Sequence, residues 1–95
     1  MHTVVRHYKR NSKLIDELIQ RQGTVDELIR GIPGFIEYHL VKTADGGFSI
    51  SVYEDKAGAD ESVRRAAAYL KENLASVAVE PPEILEGESV FHLTR

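Results

Sequence analysis

The sequence contains no cysteine and no tryptophan, and only seven of its 95 residues are aromatic. Without cysteine the chain has no disulfides, no cysteine zinc sites, no iron–sulfur clusters and no thiol nucleophile. A chain that uses no disulfide fits a reducing compartment, so a cytoplasmic protein is expected.

Long apolar runs and a basic excess are also missing. No stretch of about 18 apolar residues occurs, and the first six residues, MHTVVR, do not resemble the start of a signal peptide. Lys and Arg number 12 against 15 Asp and Glu, for a net charge of −3. Nucleic-acid domains are usually basic. Neither a membrane nor a nucleic acid is therefore expected as a partner.

What is present is the composition of one globular domain spanning residues 1–95, with 42% hydrophobic and 28% charged residues. So short a chain buries a smaller fraction of its surface than a larger one does. Association with a second copy would therefore help to stabilise it.

Hydrophobic periodicity predicts a β-α-β-β-α-β order. Asn11 and Ser12 offer a cap for the first helix, and Gly31 could cap its end. Gly23, followed by the capping-box pair Thr24 and Glu27, predicts a kink or break within that helix. The predicted strands cover residues 2–10, 35–43, 48–54 and 84–93, and the predicted helices cover residues 14–32 and 59–74.

Two glycine-containing segments are expected to shape the strands. Asp45-Gly46-Gly47 predicts a tight hairpin with positive φ angles between the second and third strands. Gly87 predicts a bulge in the last strand.

This order is typical of the ferredoxin-like α+β fold, a four-stranded antiparallel sheet with two helices on one face. Both faces of the second and third strands carry apolar side chains, so the uncovered face is expected to pack on a second copy. The expected assembly is a homodimer, a dimeric α+β barrel. In this fold the last strand lies beside the first, so Arg6 and Lys9 should pair across strands with acids such as Glu83 and Glu86.

Three short motifs carry a family resemblance. They are the segment GIPGFIEYHL at residues 31–40 with the hairpin after it, the segment VYED at residues 52–55, and the alanine-rich helix that follows. In this order the chain resembles the antibiotic biosynthesis monooxygenase-like proteins of the dimeric α+β barrel superfamily. The resemblance implies a pocket between helices and sheet. The best-known members oxidise polycyclic phenols with dioxygen and without metal or flavin, and a related branch binds and degrades heme.

The sequence departs from that family at three positions. Many members have Trp where this chain has Tyr53, and His about nine residues later where it has Ser62. The heme-degrading branch also uses an Asn on the first strand, which has none here. The resemblance therefore disfavours heme degradation and makes Tyr53 a positional match only.

His39 is the candidate base for ionising a phenol, because histidine exchanges protons near neutral pH and Glu37 lies on the same strand face. Tyr53 is the second candidate catalytic residue. Arg6 and Arg65 are possible anion holders. The four histidines show no metal-ligand spacing, so no metal and no cofactor are expected. The candidate substrate-binding residues are His7, Ser51, Ser62, Tyr69 and Asn73.

Two functions remain open at this point. One is cofactor-independent oxidation, or binding, of a small aromatic compound in a cavity between Tyr53 and the helix flank formed by Ser62, Tyr69 and Asn73. The other is a non-catalytic dimeric module in which His39 is an ordinary strand residue and the tyrosines only pack. Whether the protein is an enzyme is left undecided by the sequence.

Overall fold

The computed structural model describes residues 1–78 and 80–95 and contains four strands and three helices. The sheet is antiparallel, in the order β2-β3-β1-β4. This is the predicted ferredoxin-like α+β fold. The elements are β1 (His2–Tyr8), α1 (Ser12–Gln20), α2 (Gln22–Arg30), β2 (Phe35–Lys42), β3 (Gly47–Tyr53), α3 (Lys56–Asn73) and β4 (Glu83–Glu88).

The register decides which side chains face the helices. Val4 pairs with Ser51, and Ser51 pairs with Tyr38, so these side chains share one face. Val4 belongs to the hydrophobic core with Leu14 and other helical residues, so theirs is the helix face. The opposite, open face carries Val5, Val41, Phe48, Ile50 and Leu85.

The predicted first helix is in fact two helices. Asn11 caps α1 as expected, since its side chain accepts a hydrogen bond from Leu14 N at 3.2 Å. The break lies at Arg21, and α2 begins at Gln22, so Thr24 does not start the second helix. The expected break is confirmed, but its cause is not the capping box. The buried apolar residues of both helices still face the sheet, namely Leu14, Ile15, Leu18, Val25 and Ile29.

The strand irregularity lies in β2 and not at Gly87. Phe35 pairs with Tyr53 while Glu37 pairs with Val52, so Ile36 is an extra residue in β2. This bulge turns Phe35 to the helix face, against the simple alternation expected from the sequence. Gly87 instead pairs regularly with Thr3.

The hairpin forms as predicted, but the reason for its glycines is different. Among the described residues, Gly34 is the glycine with a positive φ, at 80°. Gly46 is needed because a Cβ there would collide with the carbonyl oxygen of Tyr8. Close approach of two backbones, and not turn geometry, therefore requires this glycine.

β4 is shorter than predicted and ends at Glu88. Beyond the strand, Ser89 N still donates to Met1 O at 2.8 Å. His92 Nε2 lies 3.9 Å from Glu37 Oε1 on the opposite edge strand, so residues 89–92 cross the end of the sheet. In this segment Val90 and Phe91 are 91% and 81% exposed.

The expected charge pairing of the first and last strands holds in part. Lys9 lies 3.4 Å from Glu83, and His2 lies 3.7 Å from Glu86. Arg6 was expected to pair in the same way, and this was wrong. It faces the helices opposite Ile84, where no carboxylate of β4 reaches it.

Candidate functional site

A polar cluster lies in the middle of the helix face of the sheet. Arg6 is only 3% exposed, Ser49 1%, and Ser51 and Ser62 are fully buried. Ser62 lies on the face of α3 that packs against the sheet. Buried polar groups are costly unless they are paired, so this cluster requires a physical explanation.

Arg6 is a buried cation without an acidic partner. Its Nη1 donates to Ser62 Oγ at 3.5 Å, a long hydrogen bond, and Ser62 Oγ donates its own proton to Ala59 O at 2.6 Å. Among the described residues no carboxylate lies within 4.0 Å of the Arg6 guanidinium. A guanidinium has five N–H donors. Most of its hydrogen-bonding capacity is therefore left for other groups.

Tyrosines surround this cation. Arg6, Tyr8, Tyr38 and Tyr69 line a cavity of about 30 Å³ whose remaining wall is apolar. Burial raises the pKa of Tyr8, and burial together with neighbouring Tyr8 raises the pKa of Tyr38 to about 12. Both phenols are therefore protonated at neutral pH and are available as hydrogen-bond donors.

Several buried hydroxyls between the sheet and the helices lack hydrogen-bond partners among the described residues. The hydroxyl oxygens of Ser49, Ser51, Tyr53 and Tyr69 are buried, and none of them makes a hydrogen bond within the described part of the chain. Burying an unpaired hydroxyl costs about 1–3 kcal/mol. The helix face of the sheet thus carries polar groups that the folded chain does not satisfy.

A much larger cleft, of about 900 Å³, opens between β2 and the helices α1 and α2. Ile19 and Ile36 line it although they are 47% and 39% exposed. Ligand sites of small molecules are typically clefts of roughly 300–1,000 Å³ with mostly apolar walls. The side chains that line both the cleft and the small cavity are Leu18, Val25, Ile29 and Tyr38.

Phe35 forms part of the cleft wall and is held from two sides. Its ring meets the Tyr53 ring edge-on, with centroids 6.2 Å apart, and the Arg30 guanidinium lies 6.0 Å from its centroid. Arg30 is itself paired with Asp26 at 2.6 Å. The bulge at Ile36 produces this arrangement, because it turns Phe35 towards the helices.

Glu37, which lines this cleft, is paired with His39, which does not line it. His39 Nε2 lies 2.8 Å from Glu37 Oε2, and Glu37 lines the cleft. The His39 side chain is 58% exposed. The two residues share a strand face, as alternation predicted, and the structure adds that they are in direct contact.

The structure divides the predicted site residues between the two faces of the sheet. His39 and His7 lie on the open face, where they pair with Ile50 and Phe48. Tyr53 and Ser51 lie on the helix face. His39 and Tyr53, the two candidate catalytic residues, are therefore on opposite sides of the sheet.

The predicted residues of α3 are also separated. Ser62 is buried beside Arg6, Tyr69 lines the small cavity, and Asn73 is exposed with its amide donating to Tyr69 O at 3.1 Å. Neither Tyr53 nor Ser62 borders the cleft or the small cavity. The space suited to a ligand thus lies beside β2, away from the predicted position between Tyr53 and α3.

Sequence reasoning missed Tyr8 and Tyr38 as cavity residues. A signal was available, because Tyr8 follows Arg6 by two residues and therefore shares its strand face. For Tyr38 the face was set by its pairing with Ser51 on β3, which residue type alone does not report. Arg65, the other possible anion holder, instead pairs with Glu61 at 2.6 Å.

Residues 1–78 and 80–95 contain neither a metal-ligand cluster nor a membrane-spanning helix. No group of three or more His, Cys, Asp or Glu side chains is arranged to hold a metal ion. No helix in the same residues is long and apolar enough to cross a membrane.

Structural comparison finds several proteins of the same architecture. A monooxygenase, ActVA-Orf6 of Streptomyces coelicolor in complex with nanaomycin D, matches with a TM-score of 0.68 at 21% identity, over 99% of this chain and 90% of its own. The chain has the antibiotic biosynthesis monooxygenase-like fold. This confirms the resemblance inferred from the sequence at the level of the fold.

Two other neighbours show how varied proteins of this fold are. NE2512 of Nitrosomonas europaea, a protein of unknown function, has a TM-score of 0.72 at 20% identity over 99% and 92% of the two chains. The heme degrader MhuD of Mycobacterium tuberculosis, with two hemes bound, has a TM-score of 0.71 at 18% identity over 99% and 100%. No family model and no curated protein sequence matches this chain. At these identities the likeness concerns the fold alone.

Proposed function

We propose that this protein binds a small aromatic compound in the cleft between β2 and the helices α1 and α2, and oxidises it as a monooxygenase-like enzyme. The observation that carries the proposal is the cleft of about 900 Å³, lined by both apolar and charged side chains, with a buried arginine and tyrosine cavity behind it. Its size is that of a small-molecule site.

The cleft has the features that an aromatic ring needs. Phe35 offers a ring whose orientation is fixed by Tyr53 on one side and Arg30 on the other. Aromatic rings prefer edge-to-face or offset contacts, and a fixed ring provides them at low entropic cost. Tyr53 thus acts as a positioning residue behind Phe35, without touching the ligand.

Cofactor-free oxidation of a phenol begins with its ionisation, because the phenolate is the species that transfers an electron to dioxygen. Glu37 lines the cleft and is the group that can reach the phenol, and His39, 2.8 Å away on the open face, is the base we assign to this step, acting through Glu37. The tyrosine hydroxyls of the small cavity would hold the substrate by donating hydrogen bonds. The scheme uses no metal and no flavin.

Oxygen uptake in the presence of dihydroxynaphthalenes tests the chemical part of the proposal. The wild-type protein should consume dioxygen faster than autoxidation, and His39→Asn should lower the rate about 10²-fold or more, as expected for a general base. His92→Asn is the matched control, because His92 lies 3.9 Å from the other oxygen of Glu37. Equal rates in the two variants would remove His39 from the mechanism.

Binding without chemistry is the second candidate function. It is favoured by one observation: the walls of the small cavity comprise a guanidinium, three phenols and apolar groups, and include neither histidine nor carboxylate. The same oxygen experiment separates the two candidates. An aromatic ligand that binds in the cleft while no dioxygen is consumed would identify a ligand-binding module.

We also propose a homodimer built on the open face of the sheet. That face carries apolar side chains from every strand, and the segment after β4 exposes Val90, Phe91 and Leu93 at 91%, 81% and 78%. Large exposed apolar patches usually mark interfaces, and a symmetric pair would cover both copies at once. Sedimentation at micromolar concentration should give a dimer, and Phe91→Asp should give monomers. A wild-type monomer would refute this assembly.

A further inference from the structure

Arg6 sits where a cation is least stable without a counter-charge. It is only 3% exposed, its hydrogen bond to Ser62 is long at 3.5 Å, and no described carboxylate compensates it. Removing a guanidinium from water costs several kcal/mol unless an anion repays it. The desolvation free energy of the Arg6 guanidinium is therefore not offset by an ion pair within the described residues.

We propose that Arg6 is the anion receptor of this site, and that the aromatic ligand presents an anionic oxygen, a carboxylate or a phenolate, to its guanidinium. This inference rests on the proposed function, because it uses the aromatic ligand of the cleft. It adds the charge of that ligand and the residue that recognises it.

The groups around the cavity favour an acceptor over a donor. Arg6 only donates, and Tyr8 and Tyr38 are neutral phenols with a proton to give. The Ser62 hydroxyl already donates its hydrogen bond to Ala59 O. A ligand atom that enters this cavity therefore meets mainly donors, and an anionic oxygen can accept several of them at once.

The size of the cavity decides how the ligand lies. About 30 Å³ accommodates something the size of one water molecule, so an oxygen fits there and an aromatic ring does not. The ring must remain in the larger cleft. Tyr38 lines both spaces, so a rotation of its side chain would let the anionic group reach Arg6 from the cleft.

Calorimetric titration at pH 7.5 with 2-naphthoate and its neutral analogue 2-naphthamide tests this assignment. A charge-assisted hydrogen bond contributes about 1.5–3 kcal/mol, so 2-naphthoate should bind at least about tenfold more tightly. Arg6→Met should abolish that preference, and Arg6→Lys, which keeps the charge, should retain part of it. If Arg6→Met does not fold, the test uses Arg6→Lys and Ser62→Ala instead. Both variants should then lose part of the preference for 2-naphthoate over 2-naphthamide. Titration of 2-naphthol from pH 7 to 10 distinguishes a phenolate from a carboxylate as the preferred form.

Arg30→Met is the matched control, because Arg30 also lines the cleft but is exposed and paired with Asp26. It should leave the preference for 2-naphthoate unchanged. Equal affinity of the wild type for both probes would overturn the role of Arg6 while leaving the aromatic site intact. Loss of the preference in Arg30→Met alone would place recognition at the cleft mouth and also overturn it. If neither probe binds, the proposed function fails as well.

Discussion

Replacing Arg6 by methionine should stabilise the unliganded protein, although most buried substitutions destabilise. Arg6 is 3% exposed, with one long hydrogen bond to Ser62 and no described acidic partner. Ser62 keeps its bond to Ala59 O when Arg6 is removed, so the substitution leaves no new unpaired hydroxyl. Exchanging even a paired set of buried charges for apolar groups of similar volume is often neutral or stabilising by about 1–4 kcal/mol, and Arg6 lacks a described acidic partner.

A cavity term opposes this gain. At about 24 cal/mol per Å³, enlarging the void by roughly the volume of the present cavity would cost about 0.7 kcal/mol. The expected net effect is therefore an increase of roughly 0.3–3 kcal/mol in the free energy of unfolding. For a domain of this length each kcal/mol corresponds to a rise in Tm of roughly 4–8 °C.

Urea unfolding at pH 7 and at one fixed protein concentration measures the effect, since dimerisation would make stability depend on concentration. The midpoint should rise without a change in m value. Arg30→Met, at an exposed pair with Asp26, should change stability by no more than about 0.5 kcal/mol. A loss of more than about 1 kcal/mol in Arg6→Met would refute the reasoning and make Arg6 a structural residue.

Further substitutions test other parts of the account. Tyr53→Phe should raise the free energy of unfolding by about 1 kcal/mol in urea titrations, because it removes a buried hydroxyl without a partner; a loss would mean that the hydroxyl is satisfied in solution. Tyr38→Phe should reduce the alkaline loss of stability: the folded pKa of Tyr38, about 12, lies above its ordinary 10.0, so its stabilisation is present below pH 10 and is lost as pH rises towards 12, by up to roughly 3 kcal/mol. Identical profiles for wild type and variant between pH 9 and 11.5 would contradict this. Gly46→Ala should lower the free energy of unfolding by about 2 kcal/mol or more, because the new Cβ would collide with Tyr8 O. Gly23→Ala, which has open space around it in α2, should raise the free energy of unfolding by about 0.5–1 kcal/mol. Hemin should give no Soret shift on mixing. Among the described residues that line the cleft, only Tyr38 has a side chain of the kind that commonly ligates heme iron, and its raised pKa keeps it protonated. A shift would show that another group ligates the iron.

The sequence was sufficient for the order of elements and for local signals. Asn11 caps the first helix as its side chain and position predicted, and the hairpin after β2 forms where Asp45 and the glycines indicated. These features depend on contacts between residues close together in the chain, which residue type and spacing report directly.

Features that depend on residues far apart in the chain were not predictable in the same way. The bulge at Ile36 follows from how β2 meets β3, and the need for Gly46 follows from the close approach of Tyr8. The face on which Arg6 lies was fixed only by its pairing with Ser49. For the same reason the sequence placed the ligand space beside Tyr53 and α3, while the cleft lies along β2.

A crystal structure of the protein with 2-naphthoate would test the central claim most directly. The account predicts the ring in the cleft against Phe35, with a carboxylate oxygen about 3 Å from the Arg6 guanidinium. A ligand bound on the open face of the sheet, or in the cleft with its carboxylate turned towards Arg30, would contradict it.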